Sequence, residues 1–205
     1  MNIVPAIIAK NQRELSERFA KVNEVSKRFH LDVMDGRFVK ARSLMFDFTL
    51  KKNSKYRAHL MMRNPEKWIK KNYARFDAII IHAEAVNNID SVLNLIKSKK
   101  KRAGLAINPG TPVAKVKNSL RNADLVIVMG VHPGKYGAKF LPDTMKKVKE
   151  IKKLVPRKSV GVDGGINEFT IGKAKAAGAD FVVMGSYLQR AKNAKKALNL
   201  LKYNN

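Results

Sequence analysis

Eight short apolar runs, separated for the most part by helical patterns, constrain this chain more than any other feature. They are NIVPAII (2–8), FHLDVM (29–34), YRAHLMM (56–62), DAIIIHA (77–83), RAGLAIN (102–108), DLVIVMGV (124–131), SVGVDG (159–164) and DFVVMG (180–185). Each has the length and composition of a buried strand. Helical patterns begin near Gln12, Pro65, Asn88, Pro112, Phe140, Thr170 and Leu188. Pro65 and Pro112 stand at starts, where a missing amide hydrogen breaks no helical bond. Segment 37–55 is the exception, polar and without a helical period. Strands alternating with helices predict parallel β/α units. Eight of them are the number that closes a (β/α)8 TIM barrel, and 205 residues lie near the short end for that fold. An open doubly wound sheet is the competitor. No linker or low-complexity tract divides the chain, so one domain over 1–205 is expected.

The polar residues separate the two folds. Nearly every run ends in a chemically capable side chain: His30 and Asp32, His59, His82 with Glu84, Asn108, His132, Asp163, then Gly185-Ser186. A closed barrel gathers its site from the C-terminal ends of several strands, whereas an open sheet concentrates such residues at one switch point. A lone strand histidine is usually a satisfied core residue. Here all four histidines of the chain stand at strand ends, and the barrel is the better reading.

Side chains alternate along a strand, so HLDVM turns Leu31 and Val33 to one side and His30, Asp32 and Met34 to the other. Leu31 and Val33 suit a core; the other side carries an imidazole and a carboxylate. Met34, Met61 and Met129 are inward by the same alternation, and ordinary core is their default role. The pairs Gly164-Gly165 and Gly185-Ser186 follow the last two runs. That is where barrels bind phosphate through backbone amides and a helix N-terminus.

Composition narrows the partners. Lys+Arg number 42 against 16 Asp+Glu, a formal charge of +26 that favours anionic partners. The lysines are nevertheless spread along the chain. In TMKKVKEIKKL they surround an apolar stripe of Met145, Val148 and Ile151, continued by Val155, as on a solvated helix face. The basic run 99–102 is short and has no interleaved aromatics, so a dedicated nucleic-acid site is not expected. Without cysteine, disulfides and thiolate metal sites are excluded. IVPAII is too short to span a membrane and no signal-peptide pattern precedes it, so a cytoplasmic protein is expected.

Seven motifs in order, HLDVMDGRFV, HLMMRNPEKW, IIIHAEA, GLAINPGTPV, VMGVHPGKYGAKFLP, VDGGIN and AGADFVVMGS, resemble the ribulose-phosphate 3-epimerase family from about residue 3 to 190. The resemblance implies a barrel of the ribulose-phosphate-binding type that interconverts D-ribulose 5-phosphate and D-xylulose 5-phosphate in the pentose phosphate pathway. It implies one divalent metal held by His30, Asp32, His59 and Asp163. Two imidazoles and two carboxylates suit zinc, iron, manganese or cobalt, and no organic cofactor is required. Inverting a carbon beside a ketone needs acid/base groups on both faces of a flat enediolate, and Asp32 and Asp163 are the matching pair. The negative charge that develops is of the kind a coordinated metal stabilises. Met34, Met61 and Met129 match the methionines that cap the intermediate. Gly134, Lys135, Tyr136 and Gly137 match the loop that closes over the phosphate.

The departures are local. The family's PSILSAD is PAIIAKN here, placing Ala6 where a serine touches substrate. NPGFGGQ is HPGKYGA, with Lys135, Tyr136 and Ala138 changed, and the segment after the second run reads KARSLMFDF. These changes bear on substrate identity and efficiency rather than on reaction type. A hexulose 6-phosphate such as allulose 6-phosphate is the rival substrate. A catalytically impaired basic barrel serving as a binding protein is the rival from another class. Family members commonly self-associate, so a homo-oligomer is compatible with the resemblance, although the sequence names no interface.

Overall fold

The computed structural model describes residues 1–134 and 137–203. Its strands are β1 (Asn2–Ile7), β2 (Arg28–Asp35), β3 (Arg42–Ser43), β4 (Lys55–Met61), β5 (Ala78–His82), β6 (Arg102–Ile107), β7 (Leu125–Met129), β8 (Ser159–Asp163) and β9 (Phe181–Met184). Eight of them pair in parallel in the order β1-β2-β4-β5-β6-β7-β8-β9, and β9 pairs again with β1. The sheet is therefore a closed (β/α)8 barrel, as the eight runs predict. The two-residue β3 pairs antiparallel with the end of β2. Among the described residues it is the only regular element in the segment 37–55 before β4 begins at Lys55.

Closure makes both faces of every strand interior, which explains runs that are apolar on both sides. Leu31 and Val33 belong to the larger core between strands and helices, with Ile79, Ile81, Val126 and Val128. Val4, Ala6, Ala78, Ile80, Ala106, Leu125, Ile127, Phe181 and Val183 form a smaller core inside the barrel. That inner space is filled by pairing large side chains with absent ones. A Cβ on Gly161 would overlap the Phe181 ring, and one on Gly104 would press on Ile80. Gly161→Ala must push the Phe181 ring aside within a fully packed layer. We expect it to lower stability by about 1–3 kcal/mol, read as a lower urea midpoint with an unchanged slope. An unshifted midpoint would mean that this layer is loosely packed.

The helices lie outside. Asn11 caps α1 (Gln12–Val22) by accepting from Glu14 N at 2.9 Å, and Leu15, Phe19 and Val22 form its buried stripe. Asn88 caps α3 (Ile89–Ser98) in the same way through Ser91 N. Between them, α2 (Glu66–Asn72) starts directly after Pro65. Three predicted starts shift. After Pro112 a 3-10 turn (Val113–Val116) precedes α4 (Lys117–Asn122). The helix expected from Phe140 begins only at Thr144 as α5 (Thr144–Leu154), because Pro142 disfavours helical backbone in the residue before it. In α5 the stripe Met145, Val148 and Ile151 is buried, as the sequence predicts. α6 (Ile171–Ala176) follows Thr170. The last pattern starts at Ser186 rather than Leu188 and is split into α7 (Ser186–Arg190) and α8 (Ala194–Tyr203). Among the described residues, no helix is long and apolar enough to cross a membrane.

Candidate active site and metal centre

The inward faces of β2, β4 and β8 bring His30, Asp32, His59 and Asp163 together, although His30, expected at a strand end, is the third residue of β2 and lies deeper in the barrel. One ligand atom from each lies within 4.8 Å of all the others. His59 Nδ1 stands 3.1 Å from Asp32 Oδ1 and 3.2 Å from Asp163 Oδ2, and His30 Nε2 is 3.5 Å from each of the same oxygens. Strand register produces this convergence. Asp32 is paired with His59 across β2 and β4, and even-numbered residues of β2 share the inward face.

All four side chains are buried, with exposures of 0% for both histidines, 7% for Asp32 and 6% for Asp163. Burial alone would raise Asp163, yet the imidazoles of His30 and His59 close beside it hold its carboxyl far below the usual range. Burial alone would depress His59, yet Asp163 and Asp32 outweigh it and raise the imidazole to about 9. The cluster thus keeps Asp163 anionic and calls for positive charge beside it. Both ring nitrogens of His30 and Asp163 Oδ2 are buried without a hydrogen-bond partner. Unsatisfied imidazole and carboxylate atoms facing one point fit a divalent metal, which that donor set could bind.

Behind the cluster lies a pair to which sequence reasoning gave no role. His59 Nε2 is 2.9 Å from His82 Nε2, and His82 Nδ1 faces Glu84 Oε2 in a long contact of 3.4 Å. Burial, opposed by Glu84 and reinforced by the charge of His59, lowers the His82 pKa. Burial would raise Glu84, but hydrogen bonds from His82, Thr111 and the Asn108 amide bring it down to about 2. Glu84 Oε1 accepts from Asn108 N at 2.9 Å. With Glu84 ionised and His82 neutral, the consistent pattern puts hydrogens on His82 Nδ1 and His59 Nε2. That leaves His59 Nδ1 for the cluster. The spacing of His82 and Glu84 in IIIHAEA is visible in the sequence, but contact between His82 and His59 depends on β4–β5 register.

A cavity of about 440 Å³ opens directly onto Asp32 and Asp163. Met34, Met61 and Met129 line it, as do Gly134, Gly137, Gly164, Gly165, Gly185 and Ser186. The predicted residues Lys135 and Tyr136 fall outside the described residues. Gly164 (φ +96°) and Gly165 (φ +69°) adopt backbone that a side chain disfavours. A Cβ on Gly165 would also stand 2.9 Å from the Phe140 Cα. The turn is pinned by Thr170 Oγ1, which donates to Gly165 O at 2.8 Å. Ala6 lines the cavity too, leaving no hydroxyl at that point. His132, grouped with the strand ends in the sequence, is exposed and absent from the lining. Two cations that sequence reasoning did not select, Lys10 and Arg42, do line it. Arg42 arrives there through β3, whose pairing with β2 no periodicity announces.

A closed parallel barrel with two imidazoles, two carboxylates and a glycine-lined cavity together defines a barrel of the enzyme type with a metal-competent site. The model of the ribulose-phosphate 3 epimerase family matches residues 2–189, and the chain belongs to that family. It is accordingly an isomerase, an epimerase acting on carbohydrates. Ribulose-phosphate 3-epimerase of Mycobacterium tuberculosis is 33% identical over 98% of this chain and 91% of its own length. The Aquifex aeolicus enzyme of the same name is 33% identical over 98% and 95%. Among solved structures, 3-hexulose-6-phosphate synthase superposes with a TM-score of 0.71 at 16% identity, over 100% of this chain and 99% of that one. KGPDC from Streptococcus mutans in complex with D-R5P gives 0.74 at 15% identity, over 99% and 96%. At such identities the two structures speak for the fold alone.

Proposed function

We propose that this chain is a metal-dependent ketose-phosphate 3-epimerase that interconverts D-ribulose 5-phosphate and D-xylulose 5-phosphate. The observation that carries it is the placement of Asp32 and Asp163, two buried carboxylates at one metal-competent cluster, both open to the same cavity. A divalent metal, when bound by His30, Asp32, His59 and Asp163, supplies Lewis-acid stabilisation of negative charge. One carboxylate takes the proton from one face of the sugar carbon, and the other returns a proton to the opposite face. Met34, Met61 and Met129, each no more than 5% exposed, keep water from the planar intermediate between them. Backbone amides of Gly164, Gly165, Gly185 and Ser186 take the phosphate, with Lys10 and Arg42 adding charge near the mouth. The described glycines of the loop, Gly134 and Gly137, approach from above. Lys135 and Tyr136 complete the loop in sequence.

A coupled assay offering ribulose 5-phosphate and allulose 6-phosphate side by side, with metal added back, tests the reading. Preference for the pentulose supports it, and preference for the hexulose replaces the substrate. Stoichiometric metal with negligible DNA binding at physiological salt separates an enzyme from a basic binding protein.

Glu84 acts as a positioning residue in this scheme, through His82 on His59. Glu84→Gln should weaken metal affinity by about 10–100-fold, measured by calorimetry on the apo chain, with the fold retained. Unchanged affinity would confine Glu84 to holding the Asn108 loop. Gly185→Val places a side chain where the phosphate approaches. It should raise KM for the sugar phosphate by about tenfold or more, the loss of a charge-assisted hydrogen bond, at unchanged metal content. Normal KM in that variant would move the phosphate elsewhere.

A further inference from the structure

The N-terminal end of the barrel, away from the mouth, carries charge that nothing in the reaction uses. Arg28, Arg57 and Arg102 share the inward parity of His30, His59 and Ala106 on strands β2, β4 and β6. Register brings two of them to one level, since Arg57 pairs with Ala78 and Ala78 with Arg102 on the next strand, while Arg28 pairs with Lys55, two residues further toward the strand's start. Arg57 is only 4% exposed, and its guanidinium lies over the Phe181 ring at 4.6 Å. Its Nε and Nη1 are buried without a hydrogen-bond partner, and so is Arg28 Nε. Among the described residues, none of the three arginines forms an ion pair or a side-chain hydrogen bond.

A ring face does not satisfy the hydrogen-bond donors of a guanidinium, and buried unpaired donors of a charged group are costly. A guanidinium keeps its charge at neutral pH, and the charged groups acting on Arg57 are Arg28 and Arg102, alike in sign, and Asp77, opposed. Asp77 is the carboxylate within electrostatic range, and its own Oδ1 is also unpaired. Around Arg57, two neighbouring guanidiniums stand against one carboxylate, and positive charge is in excess. Arg28 also lines a cleft whose other charged residues are Lys27, Lys52 and Lys55, with no carboxylate among the lining residues. This lysine-rich lining concentrates anions beside Arg28.

We propose that the floor of the barrel binds one inorganic tetrahedral dianion, phosphate or sulfate, through Arg57 with Arg28 and Arg102. Planar guanidinium forks match such oxyanions, and a dianion answers the excess of positive charge. Bound there, the anion stabilises the folded chain by mass action, since the unfolded chain has no such site. This site is separate from the phosphate cradle at the mouth and does not depend on the proposed reaction.

The probe is sulfate in solution, with its heavier analogue selenate in crystals. Thermal unfolding is followed as sulfate replaces chloride at constant ionic strength, for the wild type, Arg57→Met and Arg102→Gln. Arg102 is exposed, so Arg102→Gln keeps the test decisive should Arg57→Met fail to fold. The expected result is a saturable rise in melting temperature for the wild type. Half-saturation should shift about tenfold or more upward in Arg102→Gln, with the floor component lost in Arg57→Met. Sulfate bound at the mouth contributes equally to all three and cancels in the comparison. Anomalous scattering should place selenate beside Arg57 in the wild type. Identical titrations in all three proteins, an equal effect of chloride, or selenate at the mouth alone would overturn the proposal.

Discussion

Asp163→Asn lowers epimerisation by about 10²–10⁴-fold while the barrel remains folded. The amide keeps the shape of the carboxylate but can neither take nor return the proton. Its effect is compounded at the cluster, because Asp163 Oδ2 faces both His30 Nε2 and His59 Nδ1. Substituting an amide there removes one negative charge from the group that draws a cation in. Kinetics at saturating metal isolate the proton-transfer loss from the affinity loss. Asp32→Asn should behave alike, since Asp32 stands in the same relation to His30 and His59. Near-wild-type turnover in either variant removes that residue from the acid/base pair.

His59→Ala has the second largest effect, and it falls first on metal content. The imidazole is the hub of the centre, within 3.2 Å of both carboxylates and hydrogen-bonded to His82 behind it. Its removal takes away one donor and severs the support from Glu84. The loss of metal affinity should exceed the roughly 10–100-fold expected for Glu84→Gln, which perturbs the same ring from a distance. Mass spectrometric metal analysis after dialysis should give about one metal per wild-type chain and little in the variant. Equal metal content in the two proteins would place the ion on other ligands.

These effects rest on residues that differ in how openly the sequence declares them. The barrel is legible because closure requires each strand to be apolar on both faces, and runs such as AIIIH and LVIVM record that directly. The four cluster residues are legible because the family resemblance joins them into one set, and alternation along β2 turns His30 and Asp32 to the same side. The hydrogen bond from His59 to His82 is not, since it depends on the register between neighbouring strands. Arg42 is hidden for a related reason: a two-residue pairing in an irregular segment carries it to the cavity. Helix ends were misplaced where local chemistry overrides periodicity, as at Pro142 before α5 and at Gly185 before α7. Arg57 looks like a surface residue in composition, and only its inward parity on β4 reveals that it is buried.

The most direct test follows the proton itself. The metal-loaded protein is incubated with D-ribulose 5-phosphate in deuterium oxide, and the sugars are read by nuclear magnetic resonance. A two-carboxylate epimerase gives D-xylulose 5-phosphate carrying solvent deuterium at the inverted carbon, and Asp32→Asn and Asp163→Asn each abolish its formation. Failure of the metal-loaded wild type to form xylulose 5-phosphate or to exchange that hydrogen, or formation of product without deuterium, would contradict proton transfer by Asp32 and Asp163.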